Sequence, residues 1–467
     1  MHPIINFGTV DTVPNSIFNP EVSMQAAPVS RRSVMEKTAA VIGAGSSGLA
    51  AARHFLALGF EVHVFEREDD LGGNWNYGKP CARIYRTTHT ISSKPGTEFP
   101  DFPMPQEFPD YPHHTLVLAY LRAYADHFGL IEHIHFSTGV RKVEPVNEND
   151  TRTRWLLTFE RGHSRRFDIL VIANGHNWYP KWPEYPGVFS GRKLHSAEYR
   201  TPDIFSGRRV LVVGGGNSGC DIAVEASLVA DHVWHSTRRG YWYMPKYLLG
   251  RPADQVGDLM LALKLPLWLR RLAASMMYRL LVGSPEKTGL PRPDHRFFET
   301  HPVINSLLPY YVVQGDITPK PDIAQFDGNT VYFVNTSSVE VDLIVFATGY
   351  LIRIPFIDER HLNWQSGRPG LFLNIFHPAY DSLFVAGLIQ PDSGQFGLVH
   401  WQMLLAAQYA AAVRDGRPAA DLLRRQKAES QLDLGGGICY KDTSRHYLEV
   451  EHWRYRQLLQ KWIKRFQ

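Results

Sequence analysis

The chain has 467 residues, 44% apolar and 21% charged, the balance of an ordinary folded protein of two or three domains. Its formal net charge of +4 is too small for this length to suggest a nucleic-acid partner. Cys81, Cys220 and Cys439 lie far apart, with neither a C-x-x-C pair nor metal-ligand spacing. No metal is therefore expected, and a reduced, cytoplasmic setting is.

Residues 1–37 carry Pro, Ser and Asn without an apolar core. They read as a loose N-terminal extension without a signal-peptide layout. An apolar run at 39–42 then meets GAGSSG at 43–48 and an Ala/Leu-rich helical stretch. Strand, G-x-G-x-x-G, helix is the order that a dinucleotide requires. Gly43 permits the tight turn, Gly45 lets the backbone approach a pyrophosphate, and Gly48 lets the helix pack closely on the strand. Ala44, Ser46 and Ser47 complete the turn, and the helix N-terminus offers N–H groups and a positive dipole end. A second strand at 61–65 ends in Glu66, 23 positions after Gly43. That is near the distance for an acid that binds ribose hydroxyls; an ordinary surface Glu is the alternative.

The stretch Gly72–Gly73–Asn74–Trp75 suggests close backbone approach to a ligand, with the Trp either walling a flat ring or filling a core. FPDFP at 99–103 marks a rigid loop. Residues 115–128 are helical in period, and 134–143 and 155–159 read as strands. The apolar run 167–172 ends in Ala173–Asn174–Gly175, as in a parallel sheet covered on both faces.

A second strand–glycine–helix unit follows at 209–223, with Gly214, Gly216 and Gly219 as its glycines and Asn217, Ser218, Cys220 and Asp221 opening the helix. Two such units imply two nucleotide cofactors. The next strand, 232–235, ends in Ser236–Thr237–Arg238–Arg239, where the first unit carries an acid. A guanidinium fork matches a phosphate that a carboxylate would repel, so this site is expected to take NADPH and not NADH. Two solvent-facing arginines are the alternative. Residues 341–350 repeat the pattern of 167–175, as in a chain that leaves one domain and returns. The run 382–387 is a further buried strand. Gly394–Gln395–Phe396–Gly397 precedes a helix expected from about 399 to 414, whose positive end would face an anionic flavin ring. Residues 259–282 are basic and Trp-bearing, and are interrupted by Lys264, Pro266, Arg270, Arg271 and Arg279. They are not expected to span a membrane; they either pack as a helix pair on their own protein or lie on a membrane surface. The tail from residue 445 reads as a closing helix.

Residues 189–199, FSGRKLHSAEY, resemble F-x-G-x-x-x-H-x-x-x-Y, the identifying motif of flavin-containing monooxygenases. With GAGSSG, the GGNW stretch, FPDFP, GGGNSG, STRR and FATGY, the resemblance runs from about 38 to 400 in family order. Baeyer–Villiger relatives usually carry Trp where Tyr199 stands. The resemblance implies FAD on the first glycine turn, Glu66, Asn74 and Trp75, with the adenine edge near Val140. It implies NADP on the second turn and the Ser236, Thr237, Arg238 and Arg239 cluster. In the family, NADPH reduces the flavin, which takes up dioxygen as a C4a-hydroperoxide and passes its distal oxygen to a soft nucleophile.

Thr90, Ile91, Ser92 and Gln395 are expected nearest the reacting ring. The family usually has Asn where Ile91 stands, a side chain that can hydrogen-bond. The resemblance therefore implies a less anchored flavin edge here, with more peroxide lost, or a contact made by Ser92 or a water. His195 is expected to hold the two domains together and not to act as a base.

The expected architecture is an α/β fold of two dinucleotide-binding, Rossmann-like domains. An NADP-binding domain (187–319) interrupts an FAD-binding domain (38–186 and 320–467), and its insert at 241–309 covers the substrate entrance. Trp242, Tyr243, Trp268, Phe297 and Phe298 either line an apolar pocket or form the insert's own core. The expected activity is oxygenation of a small lipophilic amine or sulfide with NADPH and O2. A ketone-oxidising, Baeyer–Villiger-type activity is the alternative. No C-x-x-x-x-C pair follows the first glycine turn, which argues against a flavoprotein disulfide reductase. The sequence leaves open whether the chain is a homodimer.

Overall fold

The computed structural model describes residues 37–467 except 264, 430, 431, 442, 444 and 445. The expected extension thus lies outside the described residues apart from Lys37. The first part of the chain contains β1 (Thr38–Ile42), α1 (Ser46–Ala57), β2 (Glu61–Phe65), α2 (His114–His127), β3 (Ile134–His135) and β4 (Ile169–Ile172). The middle contains β5 (Arg192–His195), β6 (Arg209–Val213), α3 (Asn217–Ser227), β7 (His232–Ser236), α4 (Ala253–Ala262), α5 (Leu267–Leu281), β8 (Ile317–Lys320) and β9 (Leu343–Phe346). The last part contains β10 (Leu383–Val385), α6 (Phe396–Arg414) and α7 (His452–Ile463).

Two five-stranded parallel sheets result, ordered β10–β4–β1–β2–β3 and β5–β9–β6–β7–β8. β1 and β6 each stand at the centre of their sheet. Val41 pairs with Val64 on one side and Val171 on the other; Val212 pairs with His235 and Val345. Both faces of the sheets are covered, so the strands read as unbroken apolar runs. Val41, Leu49, Phe55, Val64 and Val171 are fully buried, each contributing about 1.5–3 kcal/mol of transfer free energy. Helix α6 is apolar on every side, because it runs through the interior against α1 and α7.

Three expectations change. The predicted strand 134–143 is two strands: β3 ends at His135, and Val140–Pro145 joins a separate antiparallel sheet with Trp155–Phe159. The left-handed turn at Ser137 (φ +50°) separates them. The α6 helix begins at Phe396, a turn earlier than predicted. The return to the first domain expected at residue 319 falls after residue 346, since β9 pairs with both β5 and β6 of the second sheet.

The segment 241–309 carries α4 and α5. Helix α5 turns Arg270, Ala274 and Met277 inward to a large cavity. Its other face leaves Trp268 67% and Leu280 82% exposed, so the helix pair packs on its own protein by one face only. Among the described residues, no helix is long and apolar enough to cross a membrane.

Candidate active site

Each glycine turn sits at the C-terminal end of a central strand, the usual ligand position in a parallel sheet. Gly43 has φ +107°, and a Cβ there would stand 2.6 Å from the Ala173 carbonyl oxygen. Gly214 has φ +125°, and its Cβ would stand 2.3 Å from the Ala347 carbonyl oxygen. The small-residue turns after β4 and β9 are thus the floors on which the glycine turns rest. Cβ atoms on Gly48 and Gly219 would lie 1.8 Å from Gly43 O and 1.9 Å from Gly214 O, which forces those helix positions to be glycine. The first amides are fixed alike: Gly43 N donates to Phe65 O and Gly214 N to Ser236 O, each at 2.9 Å.

Helices α1 and α3 have Gly45 and Gly216 at their N-caps, with no side-chain cap and no acid in the first turn. Their leading N–H groups face the cavity without a side-chain acceptor, an arrangement suited to an anion. Opposite Gly45 stands Gly73, whose Cβ would lie 3.1 Å from the Gly45 Cα. The hydroxyl of Thr90 is buried in the cavity wall without a hydrogen-bond partner. Two bare helix ends and an unpaired buried hydroxyl fit two pyrophosphate-bearing dinucleotides.

One cavity of about 1860 Å³ joins both turns. Of the predicted residues, its wall contains Gly43, Gly45, Ser46, Ser47, Glu66, Asn74, Trp75, Thr90, Ile91, Ser92, Val140 and Gln395 from the first domain. From the second it contains Gly214, Gly216, Asn217, Ser218, Asp221, Ser236, Arg238 and Arg239. Ala44, Gly48, Gly219, Cys220 and Thr237 are not in the wall. Ala44 is buried and gives its amide to Glu66 Oε2 at 2.7 Å. Cys220 lies in the second domain's core, and Thr237 N is bonded to Lys320 O.

Several wall residues already have structural partners. Glu66 accepts the Ala44 amide on one oxygen and the Glu68 amide, at 2.9 Å, on the other. Burial pushes its carboxyl above the usual range. Asp221 accepts Tyr85 Oη and Asn305 Nδ2, each at 2.7 Å, and burial raises it too. It therefore ties the first domain's Tyr85 to the second domain. Gln395 donates to Gly387 O at 2.7 Å.

The two arginines diverge. Arg238 is exposed and has no hydrogen-bond or ion-pair partner among the described residues. Arg239 lies over Tyr241, 5.4 Å from the ring centroid, with Nη2 3.4 Å from His446 Nε2. The two side chains thus stand in different surroundings.

His195 is fully buried outside the cavity wall, between the rings of Trp182 and Tyr350. Burial pushes it down to about 4, so it is neutral near pH 7. Tyr199 is buried and donates to Glu225, which Thr87 also reaches from the first domain. Within the motif at 189–199, His195 and Tyr199 are therefore packed structure, while Ser196 lines the cavity. Trp242, Phe297 and Phe298 line the cavity, whereas Tyr243 is in the core and Trp268 faces solvent. Sequence inspection missed Asp254 of α4, which accepts the Ser93 amide at 2.7 Å and so braces the loop carrying Ile91 and Ser92. Nothing in its sequence context marks it, because its partner is 161 positions away.

A family model described as Flavin-binding monooxygenase-like matches residues 36–449. The chain belongs to this family. Human flavin-containing monooxygenase 3 is 34% identical over 399 residues, 80% of this chain and 74% of that protein. Among solved structures, S-allyl-L-cysteine S-oxygenase from Allium sativum superposes with TM-score 0.63 at 21% identity, covering 93% of this chain and 90% of that one. The open structure of cyclohexanone monooxygenase gives 0.64 at 19% identity, covering 92% and 98%. At those identities the structures show the fold. As a family member, the protein is a flavin-dependent monooxygenase that uses FAD, NADPH and O2.

Proposed function

We propose that this monooxygenase inserts one oxygen atom into the nitrogen or sulfur of a small lipophilic amine or sulfide. The observation that carries this is the make-up of the large cavity: glycine turns at two ends, and a wall from 241–309 in which the apolar Trp242, Met244, Leu248, Met260 and Phe297 stand beside Asp254, Arg270 and Asp294. The apolar part of such a wall desolvates a soft nucleophile. FAD would be held by the amides of Gly45, Ser46 and Ser47, with Glu66 toward the ribose, Val140 beside the adenine, and Asn74 and Trp75 flanking the rest. Glu66 retains a lone pair on each oxygen for this role. NADPH would be held by the amides of Gly216, Asn217 and Ser218, with Arg238 on its extra phosphate. When bound, the flavin supplies the oxygen chemistry, drawing electrons from NADPH. The chain's own part is to bind, orient and exclude water. Asp254 fixes the Ser93 amide, Gln395 braces the turn at Gly387, and Ile91 and Ser92 face the cavity.

The 34% identity to human flavin-containing monooxygenase 3 supports a monooxygenase of this type; the S-oxygenase from Allium sativum shares the fold. The test is NADPH consumption with a panel of amines, sulfides and ketones, with product mass and peroxide measured together. Products heavier by one oxygen from amines or sulfides support the proposal. Esters or lactones from ketones alone would replace it with ketone oxidation.

A further inference from the structure

We propose that Phe298 sets the size limit of the oxygenated substrate. This rests on the function proposed above and adds a specificity-determining residue to it. Phe298 has φ +73°, a left-handed conformation that is an outlier for a bulky aromatic. Its ring lines the cavity, facing α5, whose inner residues Arg270, Ala274 and Met277 also line it.

The surrounding loop fixes that conformation from both sides. Trp242 Nε1 donates to His295 O at 3.0 Å, and Arg271 Nε donates to Phe297 O at 3.2 Å. Arg271 Nη2 also holds Glu299 Oε1 at 3.1 Å, and Glu299 Oε2 accepts the Arg296 amide at 2.9 Å. Phe297 stacks on Trp242 with ring centroids 4.4 Å apart and planes 22° apart. With residues 295, 297 and 299 each anchored, Phe298 keeps its strained backbone and its ring stays in the wall. A strained residue persists only where its neighbours over-determine it, and such residues cluster at functional sites. The Arg270 guanidinium lies over the ring, 5.9 Å from its centroid, and helps to hold it. A ring so held acts by shape, and one added or missing group in a hydrophobic pocket shifts selectivity about 10–200-fold.

The test compares the full-length holoenzyme with Phe298→Ala and Phe298→Gly. Glycine accepts φ +73° without strain, so the pair separates loss of the ring from relief of the backbone. Methyl phenyl sulfide and methyl 2-naphthyl sulfide are the small and bulky probes. The naphthyl-to-phenyl ratio of kcat/KM is expected to rise about tenfold in both variants, with flavin content and the KM for NADPH unchanged. A rise of threefold or less overturns the proposal. So does a changed KM for NADPH with an unchanged ratio, which would place the ring against the nicotinamide cofactor. If Phe298→Ala fails to fold, Phe298→Gly carries the test alone. If the parent enzyme oxygenates neither sulfide, the proposed function is what fails. Thermal shift by the two sulfides then decides Phe298: stabilisation of Phe298→Gly but not the parent by the naphthyl sulfide is expected, and equal shifts overturn it.

Discussion

Gly45 and Gly73 face each other across the mouth of the first turn, so close that a Cβ on Gly73 would lie 3.1 Å from the Gly45 Cα. One belongs to the G-x-G-x-x-G turn and the other to the GGNW stretch. Together they leave two backbone segments with no side chain between them. Gly73→Ala would put a methyl group into that gap and strain a residue at φ +52°. The variant is expected to fold but to retain less than a tenth of the parent's flavin, read as the ratio of 450 nm to 280 nm absorbance. Full flavin content would show that the gap is not used.

The divergence of Arg238 and Arg239 gives them unequal weights. Arg238 is unpaired, whereas Arg239 already lies against Tyr241 and His446. Losing a charge-assisted bond to a phosphate costs about 1.5–3 kcal/mol. Arg238→Ala should therefore raise the KM for NADPH about tenfold or more and leave the KM for NADH nearly unchanged. Arg239→Ala should move the NADPH value by less than threefold. Equal effects from both would show that the two arginines share the phosphate.

Ile91 places an apolar side chain in the cavity wall beside Ser92 and the unpaired Thr90 hydroxyl. Ile91→Asn adds a donor and an acceptor at that point. The variant is expected to release less peroxide per NADPH consumed, by about twofold or more. An unchanged or higher peroxide yield would remove Ile91 from any role in coupling.

His452 joins α7 to two other segments, with Nε2 2.7 Å from Asp258 Oδ1 and Nδ1 2.8 Å from Asp392 Oδ1. Burial opposes its charge, yet Asp392 and Asp258 together raise it to about 10. The folded state thus keeps a proton that the unfolded chain releases near pH 6.5. This stability is fully present below pH 6.5 and is lost as the pH rises toward about 10, at up to about 1.4 kcal/mol per pH unit. His452→Gln should lower Tm at pH 6 and flatten its fall between pH 7 and 9. A parallel curve would exclude His452 as the source of the alkaline slope.

The sequence by itself determined the two glycine turns, the strands that carry them and the acid at the end of β2. Each of these is dictated by residues within a few positions of one another. An absent Cβ or an unbroken apolar run has the same consequence wherever the chain goes next. It also supplied the pair of small-residue turns at Ala173 and Ala347, though not their use as floors beneath Gly43 and Gly214. Only the tertiary structure decided that β9 lies between β5 and β6, that Arg238 and Arg239 part company, and that Asp254 reaches Ser93. It alone turned Trp268 to solvent and Phe298 to the cavity. Those outcomes depend on contacts between residues tens to hundreds of positions apart, and no local spacing encodes which distant backbone a side chain will meet.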